Sequence, residues 1–172
     1  MKTIIKGGIL LAIFTLILIQ NLVLLNRISP VVAQATQINP LIHALAKTGL
    51  GSPSSKVLDA VDVASKQTGL SETFISALMF TESNFNPKAV SSKNYQGLMQ
   101  IPHKVHYEDA NCIIGSKIFL EKLKITKGDY KKAIILYKGW SISDPEGHRQ
   151  AQKVMDLAVR LKENIAKNKE KM

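Results

Sequence analysis

Residues 72–83 read Glu-Thr-Phe-Ile-Ser-Ala-Leu-Met-Phe-Thr-Glu-Ser, and the side chains of Phe74, Ile75, Ala77, Leu78, Met79 and Phe80 cannot be gathered onto a single helical stripe. A helix that is apolar nearly all round has to be buried on every side. Ser71, immediately before it, is a good N-cap residue. The chain must therefore supply a shell of further elements around this one.

The remaining periodicity says that the shell is helical. Ser54 or Ser55 can cap a helix reaching about Gln67, with Val57, Val61 and Ala64 on one face and Gly69 as its stop. A third segment spans 109–123, with Ile113, Ile114, Ile118, Phe119 and Leu123 as candidate core. A fourth spans 129–137, with Ala133, Ile134, Ile135 and Tyr137. Asp144 or Pro145 opens a fifth, in which Val154, Leu157, Ala158, Leu161 and Ile165 keep the i, i+3, i+4 spacing. No run alternates with period two, so the expected fold class is all-α. The domain is expected over 55–168, which is long enough for one modest core. The charge-rich tail from Lys162 reads as a solvated helix end.

Ahead of that domain, residues 9–19 are apolar except for one Thr, and Lys2 and Lys6 precede them. This is the layout of a secretory signal or of an N-terminal transmembrane signal anchor, assigned to residues 1–35. Ala33-Gln34-Ala35 favours a cleaved signal. Leu22–Leu25 prolong the apolar run toward the roughly 20 residues that cross a bilayer, which favours an anchor. On either reading the rest is exported, to the periplasm or cell envelope, and an anchor would hold it to the cytoplasmic membrane. Residues 36–54 read as a connector holding a short helix within 41–50, closed off by Gly49, Gly51 and Pro53.

Charge narrows the partners. The net charge is +10, from 23 basic and 13 acidic residues. Residues 1–35 hold three of the basic residues and none of the acidic ones, which leaves 20 against 13, a net +7, on the exported part. A basic exported protein suits an anionic surface such as cell-wall polymer or lipid headgroups. Nucleic acid is not expected, given the export signal and the lack of interleaved basic and aromatic residues. The one cysteine, Cys112, excludes an intramolecular disulfide, and its neighbours Ile113 and Ile114 mark it as a buried helical thiol. His103 and His106 read as a loop pair. No metal or other cofactor is expected.

Glu82 stands where local rules disfavour it. It falls in the last turn of the apolar helix, where the macrodipole repels a carboxylate. Burial beside apolar side chains also favours the neutral form, the combination that makes a glutamate a general acid at neutral pH. Downstream, Ser91 has a hydroxyl that can orient a carboxyl or a ligand, Gly97 permits a close approach, and Gln100 carries an amide that both donates and accepts. Taken singly, Ser91 reads as a cap and Gln100 as a surface amide. No Asp or Glu lies between Glu82 and Glu108, although Glu108 or Asp109 could still approach in space. Hydrolytic glycosidases usually pair two carboxylates.

The run Glu82-Ser83-x-Phe85-x-Pro87-x-Ala89-Val90-Ser91, a gap of five, then Gly97-Leu98-Met99-Gln100-Ile101 resembles the signature of the soluble-type (SLT) lytic transglycosylases. Asn111…Gly115…Phe119-Leu120 and Ala133…Tyr137-Lys138-Gly139 resemble two later segments of that family. The resemblance implies a lysozyme-like helical fold and cleavage of the β-1,4 bond between N-acetylmuramic acid and N-acetylglucosamine in peptidoglycan glycan strands, with a 1,6-anhydro product. By position it implies Glu82 as the catalytic acid and then base, with Ser91, Met99, Gln100, Asn111 and Tyr137 binding substrate. By analogy, the enzyme would open the wall locally for a secretion, conjugation or pilus apparatus, or in a phage-related role.

The departures fall on groups that grip the sugar. Asn94-Tyr95 stand where the family often has Gly-Ala, and Pro102 follows Ile101 directly, so one methionine has no counterpart. Lys138 replaces an Asn, and Gly139 comes one position early. Tyr95 and Trp140 could stack on sugar rings. Lys104, Lys131, Lys132 and Lys138 read singly as solvated helix faces. The rival readings are a hydrolytic muramidase and a non-catalytic wall-binding or scaffold module.

Overall fold

The computed structural model describes residues 40–102, 105 and 107–170; the apolar N-terminal segment and the His103/His106 pair lie outside them. Six helices follow in order: α1 (Pro40–Lys47), α2 (Ser55–Thr68), α3 (Glu72–Ser83), α4 (Glu108–Ile125), α5 (Tyr130–Tyr137) and α6 (Pro145–Lys169). Among the described residues there is no strand ladder, only two isolated bridges joining Gln96 to Val90 and to Ile101. No helix among them is long and apolar enough to cross a membrane.

The helix ends follow local chemistry. The hydroxyls of Ser54 and Ser71 accept from the backbone N–H of Val57 and Phe74, and the carboxylates of Asp129 and Asp144 do the same for Lys132 and Glu146. Each satisfies one otherwise orphaned donor, worth about 1 kcal/mol. Gly69 ends α2 at φ 73°, the left-handed conformation in which glycine carries no steric penalty.

Helix α3 is enclosed as its sequence demands. Ile75, Ala77, Leu78 and Met79 are fully buried, and α2 and α6 pack against the helix. Phe74 meets Phe119 of α4 at 4.6 Å between ring centroids and Tyr130 of α5 edge-on at 5.2 Å.

Two expectations about packing need revision. The buried face of α4 is Asn111, Cys112, Gly115, Ser116 and Phe119, whereas Ile113, Ile114, Ile118 and Leu123 are only partly covered. The helix turns its small and polar side toward the loop before it, for reasons given below. The helix read as part of a connector is α1, and it is packed rather than free. Its Leu41, Ala44 and Leu45 join the core against α6, and the compact unit begins at Pro40.

Cys112 is fully buried, and desolvation is the main cause that pushes its thiol from an ordinary 9.0 up to about 12. Tyr137 moves the same way, well above the usual range, through burial first and the charge of Glu82 second. A group whose folded value lies above its unfolded one stabilises the fold fully below the unfolded value and loses that contribution as pH climbs toward the folded one. Thermal melting should therefore weaken from about pH 9 upward. In Cys112→Ala the alkaline decline should be shallower, at a cost of about 1 kcal/mol at neutral pH for the lost packing. Circular-dichroism melts of both proteins across that range check this.

Candidate active site

The site is assembled at the C-terminal end of α3. Thr81 and Ser83 bond back to the carbonyls of Leu78 and Met79, and the helix then breaks at Asn84 (φ 53°) and Phe85 (φ 62°). Asn adopts left-handed geometry readily, but a phenylalanine there is an outlier of the kind that gathers at functional sites. Burial of the Phe85 ring, 5.5 Å from that of Phe80, holds it. The abrupt break leaves Glu82 on the final turn with a side chain 13% exposed.

The loop that follows folds back on itself. Gln96 and Ile101 exchange backbone hydrogen bonds at 2.9 and 3.1 Å, and Gly97 N–H donates to the Ala89 carbonyl at 2.9 Å. Asn111 locks this turn to α4. Its Oδ1 accepts from Met99 N–H at 2.9 Å and its Nδ2 donates to the Gln96 carbonyl at 3.0 Å. Glycines make room at both contacts. Gly97 lies at φ 80°, and a β-carbon there would collide with the Asn111 amide; one at Gly115 would collide with Met99 and reach the Tyr137 hydroxyl.

The residues read from sequence as substrate-binding therefore separate. Met99 and Asn111 are buried, and Asn111 also lines a hollow with Pro87, Lys88 and Glu108. The Tyr137 hydroxyl donates to the Met99 carbonyl at 2.7 Å and ties α5 to the same loop. Ser91 closes a turn, its Oγ accepting from Tyr95 N–H at 3.0 Å. Gln100 sits at φ 48°, and its amide nitrogen donates to the carbonyls of Ala89 and Gly97, which leaves the side-chain oxygen to meet a ligand. Gln100 and Tyr137 line one cleft of about 220 Å³ together with Tyr95, Ile101, Pro102, Leu136 and Gly139. Glu108 lines a separate hollow with Lys88 and Pro87. Trp140 is half-exposed and packs over Gly147 at the start of α6.

Lys138 is the residue that sequence reasoning misplaced. It is no solvated face: its side chain is 8% exposed, and its ammonium donates to Glu82 Oε1 at 2.7 Å and to the Thr81 carbonyl at 3.4 Å. A cation at a helix C-terminus offsets the dipole, and beside a carboxyl it favours the ionised form. The signal was present in the run Tyr137-Lys138-Gly139, but nothing local says that Lys138 meets a residue 56 positions earlier.

Residues 59–110, from α2 through the loop to the start of α4, match the family model described as Transglycosylase SLT domain. This stretch is similar to an SLT lytic transglycosylase domain, and Glu82, Ser91, Met99 and Gln100 lie within it. Curated relatives agree. The membrane-bound lytic murein transglycosylase C of Edwardsiella ictaluri is 46% identical over 57 residues, covering 33% of this chain and 16% of that protein. Its namesake from Sodalis glossinidius is 42% identical over 65 residues, covering 38% and 18% respectively. The chain thus spans less than a fifth of the length of the relatives it matches. No solved structure matches it.

Proposed function

We propose that this protein is a peptidoglycan lytic transglycosylase with a lysozyme-like helical domain, acting in the cell envelope. The observation that carries the reading is Glu82 itself. It lies inside the stretch that matches the family model, and its carboxyl is nearly buried at the end of a buried helix. The relatives' names, membrane-bound lytic murein transglycosylase, support the substrate and the envelope location. So do the basic charge of the sequence and its apolar run over residues 9–19.

In the proposed reaction the Glu82 carboxyl gives its proton to the oxygen bridging N-acetylmuramic acid and N-acetylglucosamine, and the bond from that oxygen to the muramyl C1 breaks. The carboxylate then takes the proton of the muramyl 6-hydroxyl as its oxygen bonds to C1. The products are a 1,6-anhydro end and a free 4-hydroxyl, with no water consumed. Gln100 and Tyr95 are the ligand-facing groups of the adjoining cleft. Tyr137 lines the same cleft, and Asn111 holds the loop that carries Gln100.

The test is mass spectrometry of the fragments that the full chain releases from purified peptidoglycan. Anhydro ends support the transglycosylase, and reducing muramic ends mean a hydrolytic muramidase. The ion pair between Glu82 and Lys138 favours a second reading, a wall-binding module that has surrendered catalysis. That reading predicts co-sedimentation with peptidoglycan and no release.

A further inference from the structure

We infer that Lys138 is a positioning residue that withholds the acid: its ammonium holds the Glu82 carboxyl in a nearly buried ion pair that must part before the glycosidic bond can break. The inference rests on the reading of Glu82 as the acid and adds to it a control on when that acid is available.

Geometry carries the argument. The ammonium and carboxylate are 2.7 Å apart, and both side chains are nearly buried, so water screens the pair weakly. The ammonium is held on two sides, by Glu82 and by the Thr81 carbonyl, so the contact is built into the junction of α3 and α5. Proton donation needs the neutral acid, which the adjacent cation opposes. When the pair parts, Lys138 keeps its proton and Glu82 takes one from solvent, so the proton that reaches the glycosidic oxygen comes from outside the pair. Among the described residues, the other titratable group shown to feel the charge of Glu82 is the Tyr137 hydroxyl. It stays neutral through this range and cannot replace the ammonium.

The test compares the full-length wild type with Lys138→Met, Lys138→Arg and Glu82→Gln, reading fragments released from purified peptidoglycan against pH. Lys138→Met removes the charge and keeps most of the volume. Its rate at neutral pH should rise about tenfold, and its pH profile should differ from that of the wild type. Lys138→Arg should retain the restraint. A folded Lys138→Met with an unchanged profile, or one slower at every pH, overturns the inference while leaving Glu82 as the acid. Release that survives in Glu82→Gln overturns the reading of Glu82, and silence from wild type and Lys138→Met alike overturns both. If Lys138→Met does not fold, nitrogen NMR of the lysine ammonium groups decides. A slowly exchanging Lys138 signal present in the wild type and lost in Glu82→Ala, which removes the acceptor, supports the inference. No such signal, or one unchanged in Glu82→Ala, overturns it.

Discussion

Glu82→Gln should lower release of anhydro-muropeptides by about 100- to 10,000-fold, the usual worth of a positioned proton donor, while binding to peptidoglycan persists. The amide matches the carboxyl in size and hydrogen-bonding reach, so the groove keeps its shape. It can neither give up an acidic proton nor receive one from the 6-hydroxyl, so both halves of the reaction fail together. The substitution also strands the buried Lys138 ammonium without its counter-charge. Removing one partner of a buried pair costs about 3–5 kcal/mol in unfavourable cases, and less here, because the glutamine oxygen can still accept. Melting temperature and activity will therefore fall together, and the double variant Glu82→Gln/Lys138→Met separates them. It should regain most of the lost stability and none of the activity. Recovery of activity in the double variant would assign the chemistry to another residue.

Gly97→Ala should be the most damaging single-methyl change in the loop. Two effects add. An alanine at φ 80° carries about 1–2 kcal/mol of backbone strain. Its β-carbon also drives out the Asn111 amide, which holds the Met99 N–H and the Gln96 carbonyl, and a stranded buried polar group costs about 1–3 kcal/mol. Together they predict a loss of about 2–5 kcal/mol and a melting temperature lower by roughly 10 °C. Activity should fall even below that temperature, because Gln100 reaches its left-handed position through this turn. Asn111→Ala should reproduce much of the loss of stability with the glycine intact. A Gly97→Ala protein that melts like the wild type would mean that the loop has room to shift and that Asn111 does not hold it.

The helices were legible because their signals are local. Ser54, Ser71, Asp129 and Asp144 act as caps within three residues of where they stand, Gly69 ends a helix by its own backbone, and the apolar content of 72–83 allows only burial. The candidate acid was legible as a charge in the wrong place on such a helix. Whatever depended on chain segments meeting across the fold was not. The helix that carries Asn111 gives no hint that both ends of its amide bond a loop 12 to 15 residues upstream. Lys138 looked solvated for the same reason. Helix α1 was too short for its three apolar positions to outweigh the glycines and proline after it, and only α6 gives them a place in the core.

That same α1 has a mechanical consequence. It lies against α6, and near the ends of the two helices the Lys47 ammonium donates to Asn168 Oδ1 at 2.9 Å. The first and last helices of the folded unit are thus clasped to each other. Tension entering at Pro40 is taken up along this seam, in shear, by Leu41, Ala44 and Leu45 against α6. A protein pulled from its amino-terminal side would yield at the clasp first and keep the shape of its groove until that seam opened.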